Sequence, residues 1–349
     1  MVLTGGVNRG AYQAGVICGL AAREGLRDGQ SLAYDVICGT SIGALNAYLT
    51  AAAQYTRLAQ VWEDVASRPI FSLKSPYDKI TRTSSGVLSR VSAAVRLALG
   101  STKDVKGVVD SRHVVQLIHD YCNPTDPVAI PLCFGVTNLT KHRTELFLRK
   151  ATTPIGLERQ AYFDSKPPGS KQRPLREATD DILRSALFAS AALPIVFEPV
   201  LIPRASGIGF DQYIDGGITD NVPIDVAQHV GAYVDIVAVD PDTDADVDYP
   251  IGNALDVLLG VFGIMQDRTT LLATRLAYSE GLAIRPGVSP AAYNYEGYEL
   301  TISRIRPAEA LPGKLGDFAD LASLKGMFRI GQADGMNGWK QLAPDDIFR

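Results

Sequence analysis

The sequence is short of cysteine and histidine and has no long uninterrupted apolar run, and each shortage excludes something. Its four cysteines, Cys18, Cys38, Cys122 and Cys133, follow neither metal-ligand spacing nor a disulfide framework. Cys18 and Cys38 stand in apolar surroundings and read as small buried hydrophobes, which suits a reducing, cytoplasmic compartment. The longest apolar stretch, 36–53, is broken by Gly39, Thr40, Ser41 and Asn46, so no transmembrane helix is expected. No basic region precedes an apolar one at the start, so no signal peptide is read there. Met1-Val2-Leu3-Thr4 is shorter than a usual buried strand of about five residues. A cropped start is therefore expected, which leaves room for a missing leader. With 34 basic and 38 acidic residues, the net charge of −4 gives no electrostatic footprint for nucleic acid. No repeat, low-complexity tract or long linker divides the 349 residues, so residues 1–349 read as one domain.

What is present begins with MVLTGGVNRGAYQAG: three apolar residues run into a glycine loop. Such a loop can cradle a phosphate, hold an oxyanion, or simply turn a strand into a helix. A phosphate-binding P-loop needs Lys-Ser/Thr after its last glycine, whereas Ala11-Tyr12 follow Gly10; the G-x-G-x-x-G dinucleotide spacing is also absent. Residues 11–24 carry apolar side chains at helical spacing, 34–39 read as a buried strand, and 44–54 are alanine-rich and helical. That βαβα beginning predicts an α/β fold with helices on both faces of a sheet. Further strands are expected at 131–139, 145–150, 195–203, 210–215, 233–240 and 298–305. Helices are expected at 180–194, ending at Pro194, and at 253–282. The serine-rich region 69–110 reads as an insertion, and 151–177, rich in Pro, Gly and charge, as a surface excursion.

Gly39-Thr40-Ser41-Ile42-Gly43 is a G-x-S-x-G sequence lying between a predicted strand and a predicted helix, where a nucleophile elbow must sit. The turn needs small residues beside the serine, and it places the hydroxyl at a helix N-terminus, where negative charge is stabilised. A glycine-bounded turn without chemistry is the plainer reading. A serine needs a base. Of the four histidines, His113, His119, His142 and His229, only His229 lies beyond both Ser41 and a candidate acid, as an ordinary Ser–Asp–His order requires. The stronger candidate is Asp215, which ends an apolar strand and is followed by Gly216-Gly217, so nothing bulky blocks its carboxylate. A partly desolvated carboxylate has a raised pKa and can serve as base. An Asp-Gly turn is the alternative.

Together, Gly5-Gly6 before a helix, G-T-S-I-G-A-L-N-A, and D-G-G-I-T-D-N-V-P resemble the patatin-like phospholipase family, as does S-A-L-F-A-S-A-A-L-P-I-V-F-E-P-V (185–200). The similarity is clear over residues 1–54 and 183–240. The resemblance implies a three-layer α/β/α sandwich with a mostly parallel central sheet. It also implies a Ser–Asp dyad without histidine, with Ser41 as nucleophile and Asp215 as base, acting on lipid acyl esters. In that family the glycine-rich loop supplies backbone donors to the oxyanion hole. The positions carried over are Gly5, Gly6, Val7 and Ile42, with Arg9, Gly10, Gly39, Gly43, Gly216 and Gly217 as supporting motif residues. Such donors contribute roughly 3–4 kcal/mol each in acyl transfer. Val7 stands where the family has a third glycine, and a β-branched residue is strained there if φ must be positive.

The expected activity is that of a serine lipid acyl hydrolase of the phospholipase A or lysophospholipase type. It needs no cofactor and no metal, acts on a lipid or acyl-ester substrate, and meets a peripheral membrane surface. A catalytically silent binding protein, which Val7 favours, and an ordinary Ser–Asp–His esterase are the alternatives. Two weaker features remain. Residues 74–106 are basic, with Leu88, Val91, Val95 and Leu99 at helical spacing, as in a lid or membrane-facing helix. The acidic run 240–251 imitates a calcium loop, but Ala245 and Ile251 replace the required glycine and glutamate, so a solvated acidic loop is expected.

Overall fold

In chain order, β1 (Val2–Leu3) leads into a single 3-10 turn at Val7–Arg9, then α1 (Gly10–Arg23), β2 (Ile37–Thr40) and α2 (Ile42–Ala51). This is the βαβα start expected. The computed structural model describes residues 1–68, 107–165, 173–240, 254–283 and 299–343 except 314 and 319, together with 70, 72, 73, 75, 94 and 346. The basic helix expected within 74–106 and the acidic run after Asp240 lie outside the described residues. Downstream come α3 (Tyr55–Ser67), α4 (Arg112–Tyr121), β3 (Leu132–Asn138), β4 (Arg143–Arg149), α5 (Pro154–Asp164), β5 (Leu175–Glu177), α6 (Leu183–Ser190), β6 (Val200–Pro203) and β7 (Phe210–Asp215). The described chain closes with α7 (Ile224–Val230), β8 (Tyr233–Val237), α8 (Ala254–Ala283), β9 (Thr301–Ile305), α9 (Leu321–Asn337) and β10 (Lys340–Gln341).

The strands form one mixed sheet in the order β10-β9-β8-β1-β2-β3-β4-β5, with β7 on β3 and β6 on β7. Within it β9, β8, β1, β2 and β3 run parallel. Alternation of side chains along the central strands builds two cores. Leu3, Ile37, Leu132, Phe134 and Val237 enter a large cluster with Tyr12 and Tyr48. Val2, Cys38, Cys133 and Ile236 point the other way, toward Val226 and Tyr278. With a period of two, neighbouring residues serve opposite faces, so helices cover both sides of a mostly parallel α/β/α arrangement.

Three local features differ from the expectations. The predicted strand at 195–203 begins only at Val200. Before it, Pro194 cannot continue α6, and Ile195 adopts a left-handed φ of 69°. The excursion at 151–177 contains α5, started by the Thr153 side chain accepting from Gly156 N–H, and β5, which extends the sheet beside β4. Finally, α9 had no counterpart in the sequence reading. It packs on α1 at very short range: a Cβ on Gly15 would stand 2.1 Å from Phe328 O, and one on Gly331 2.0 Å from Tyr12 O.

Candidate active site

The strand register brings Ser41 and Asp215 together. Along one edge of β3, the parallel strand β2 ends with Thr40 opposite Gly135. The antiparallel strand β7 arrives from the other direction and ends with Asp215 opposite Val136. Two strands distant in the sequence thus meet tip to tip on adjacent residues of β3, and Ser41 Oγ donates a 2.6 Å hydrogen bond to Asp215 Oδ2, 174 residues away.

Ser41 sits at φ 57° and ψ −131°, outside the conformations an L-residue prefers. Two hydrogen bonds hold the turn. The Ser41 N–H donates to Ser190 Oγ at 2.9 Å, and Ser190 Oγ donates to Gly135 O at 2.7 Å. The flanking glycines admit the tight crossing, since a Cβ on Gly39 would stand 2.5 Å from Gly43 O and one on Gly43 2.5 Å from Leu3 O. Strained serine geometry fixed by its surroundings is what an elbow requires. Because α2 starts at Ile42, the hydroxyl lies at a helix N-terminus.

Asp215 is fully buried. Burial pushes its carboxyl up to about 7, against hydrogen bonds from Ser41 and the Gly217 N–H that favour the charged form. Gly217 N–H reaches Oδ1 at 2.8 Å, leaving Oδ2 to the serine. The main chain is tied as well: Thr137 Oγ1 donates to Asp215 O at 2.8 Å. A carboxyl poised near neutrality and bonded to a serine hydroxyl can take that proton. His229 lies on α7, and among the described residues the side-chain partner of Ser41 Oγ is Asp215.

The glycine loop borders the pair. A Cβ on Gly5 would lie 3.0 Å from Ser41 Cβ. The Gly5 N–H donates to Asn221 Oδ1 at 2.9 Å, so of the four loop and elbow positions expected to supply donors, Gly5 has its hydrogen already engaged. Among the described residues the N–H groups of Gly6, Val7 and Ile42 have no backbone or side-chain acceptor. Val7 takes a left-handed φ of 54° although its side chain is buried. Asn46, from the G-A-L-N-A segment, anchors the loop by donating to Gly10 O at 2.9 Å. Arg9 pairs with Asp240.

Helix α8 closes the site from the other side. Its Gln266 is buried, and Asn221 Nδ2 reaches Thr270 Oγ1 on the same helix at 3.1 Å. Beside Gly217, the residues Ile218, Leu193, Phe262 and Met265 line a small, wholly apolar cleft of about 60 Å³. Ser190, Asn221 and Gln266 were not singled out from the sequence. Asn221 lies inside the D-G-G-I-T-D-N-V-P segment, but nothing in its spacing tells of a bond to Gly5. Among the described residues no group of three or more His, Cys, Asp or Glu side chains is placed to hold a metal.

Comparisons with known proteins bear on this geometry. A family model described as patatin-like phospholipase matches residues 1–227. VipD from Legionella pneumophila, a solved structure, aligns over 97% of this chain and 67% of its own, at 12% identity and a TM-score of 0.34. No curated protein matches the chain. The span matched by the family model runs through the glycine loop, the Ser41 elbow and the Asp215 turn, and it takes in well over half of the sequence: the chain belongs to the patatin-like phospholipase family.

Proposed function

We propose that the protein is a serine lipid acyl hydrolase in which Ser41 is acylated and Asp215 is the only side-chain base. The observation that carries this reading is the buried 2.6 Å bond from Ser41 Oγ to Asp215 Oδ2. Asp215 takes the hydroxyl proton as Oγ attacks the ester carbonyl, and the N–H groups of Gly6, Val7 and Ile42 receive the oxyanion. The protonated Asp215 then returns its proton to the departing alkoxide, leaving the acyl-enzyme. A water molecule, deprotonated by the same carboxylate, releases the fatty acid. The apolar side chains of Ile218, Phe262 and Met265 offer a wall to the first carbons of an acyl chain, though their cleft of about 60 Å³ does not enclose it. The outer side of α8 leaves Val257, Val261, Ile264, Leu272 and Leu276 exposed, which supports a lipid surface as the place of work.

Acyl release from a mixed panel of phospholipids, lysolipids and neutral lipids tests the reading. Ser41→Ala and Asp215→Asn should each remove hydrolysis while the protein stays folded. If Asp215→Asn keeps near-full activity and His229→Ala removes it, a histidine triad operates instead. The left-handed Val7 favours a second reading, a binding protein with a silent site. That reading requires wild type to release no acyl group from any lipid on the panel.

A further inference from the structure

Gln266 has an amide with nothing to hold. It is 5% exposed, and among the described residues its Nε2 has no hydrogen-bond partner. A buried amide left unpaired costs about 1–3 kcal/mol, so its presence calls for an explanation. Its position supplies one. A Cβ on Gly5 would stand 2.5 Å from Gln266 Nε2 and 3.0 Å from Ser41 Cβ. A Cβ on Gly217 would stand 2.7 Å from the same nitrogen and 3.2 Å from Asp215 Oδ1. The amide nitrogen therefore lies among the glycine loop, the serine and the aspartate, beside Asn221 Oδ1, which would stand 2.5 Å from the same Cβ on Gly5. A side chain at either Gly5 or Gly217 would collide with it. The helix that carries it is tied down next to the site by Asn221, whose Nδ2 donates to Thr270 Oγ1 and whose Oδ1 occupies the Gly5 N–H.

The last bond removes one donor from the loop at the place where negative charge would develop. We propose that Gln266 replaces it: the side-chain N–H of Gln266 hydrogen-bonds the carbonyl oxygen of the ester under attack by Ser41, making Gln266 a catalytic residue of the oxyanion site. Side-chain amides serve this purpose well because they are neutral, so they stabilise the developing charge without perturbing the base. The preceding residue of the helix, Met265, lines the apolar cleft. One turn of α8 thus presents an apolar wall to the acyl chain and a donor to its carbonyl. This inference rests on Ser41 being the nucleophile.

The test compares wild type, Gln266→Leu and Gln266→Glu in the full chain, using p-nitrophenyl butyrate hydrolysis, thermal unfolding and fluorophosphonate labelling of Ser41. Leucine keeps the volume and deletes the donor. It should lower kcat by about 10²-fold or more, leave KM within threefold, and leave Tm unchanged or higher, since an unpaired polar group has gone. Glutamate keeps the shape, opposes the oxyanion with its charge, and should lose at least as much kcat. A labelled, active wild type with a leucine variant whose kcat lies within twofold of it would overturn the Gln266 assignment alone. So would a loss confined to KM, or a loss accompanied by a lower Tm in both variants. A wild type that neither hydrolyses the ester nor labels at Ser41 overturns the nucleophile reading, and this inference with it.

Discussion

At the scale of single residues, the site is costly, and the costs are measurable. Asp215 is buried and titrates near 7, far above an exposed aspartate. Its folded-state pKa lies above its unfolded one, so the fold favours the protonated carboxyl. Its stability contribution is complete below about pH 4 and is lost as pH rises through about 7. Asparagine cannot ionise. Asp215→Asn should therefore gain stability over wild type as pH rises from 5 to 8, and urea unfolding at several pH values would show the gap widening. An unchanged gap would mean that the carboxylate is not buried in solution. Val7 offers a second residue-level test. Its left-handed backbone penalises any residue with a Cβ by roughly 1–2 kcal/mol, so the usual order of truncation should invert. Val7→Ala loses packing and keeps most of the strain; Val7→Gly loses packing and sheds it. Unfolding midpoints should rank the glycine variant above the alanine variant, by about 1 kcal/mol. Ser41 and Asp215 were legible in the sequence because each stands in a short run of small residues at the end of an apolar strand. Ser190 and Gln266 were not, because their partners lie across the fold and no local spacing betrays such a contact.

At the scale of elements, the decisive arrangement is the shared edge of β3, occupied first by β2 and then by β7. The strands themselves were readable from β-branched and apolar runs. Their tip-to-tip meeting was not, because register is set by pairing between distant segments. The same limit hid the contact between α1 and α9. Gly15 and Gly19 face Phe328 and Gln332, while Gly331 and Gly335 face Tyr12 and Val16, so each helix lacks side chains where the other's backbone passes. A methyl group on Gly331 would meet a carbonyl oxygen, not a movable side chain. Gly331→Ala should thus destabilise by at least about 2 kcal/mol. Gly263→Ala, in α8 with nothing within 4 Å of the new Cβ, should stabilise by up to about 1 kcal/mol through helix propensity. Denaturant midpoints for the pair check both signs. Equal effects would mean that α1 and α9 do not pack in solution as described.

At the scale of the whole molecule, a mostly parallel sheet covered on both faces places its chemistry at the strand ends, where the topology changes. Here that point is the end of β2, beyond which β3 takes a new neighbour, and the glycine loop, Asn221 and α8 gather around it. The α/β class and the helix-covered sheet were legible from the βαβα start, whereas the reach of α8 over the site was not, since a long apolar helix does not announce what it covers. In the proposed reading, ester attack at this point depends on a serine that is activated by a single carboxylate. The rate at which a fluorophosphonate labels Ser41, followed by intact mass from pH 5 to 9, tests that dependence most directly. The account predicts that wild-type labelling rises with pH through about 7 and then levels. It predicts that Asp215→Asn is slower by roughly 10²–10⁴-fold with no inflection in that range. An Asp215→Asn protein that labels at the wild-type rate, with the wild-type profile, would contradict it.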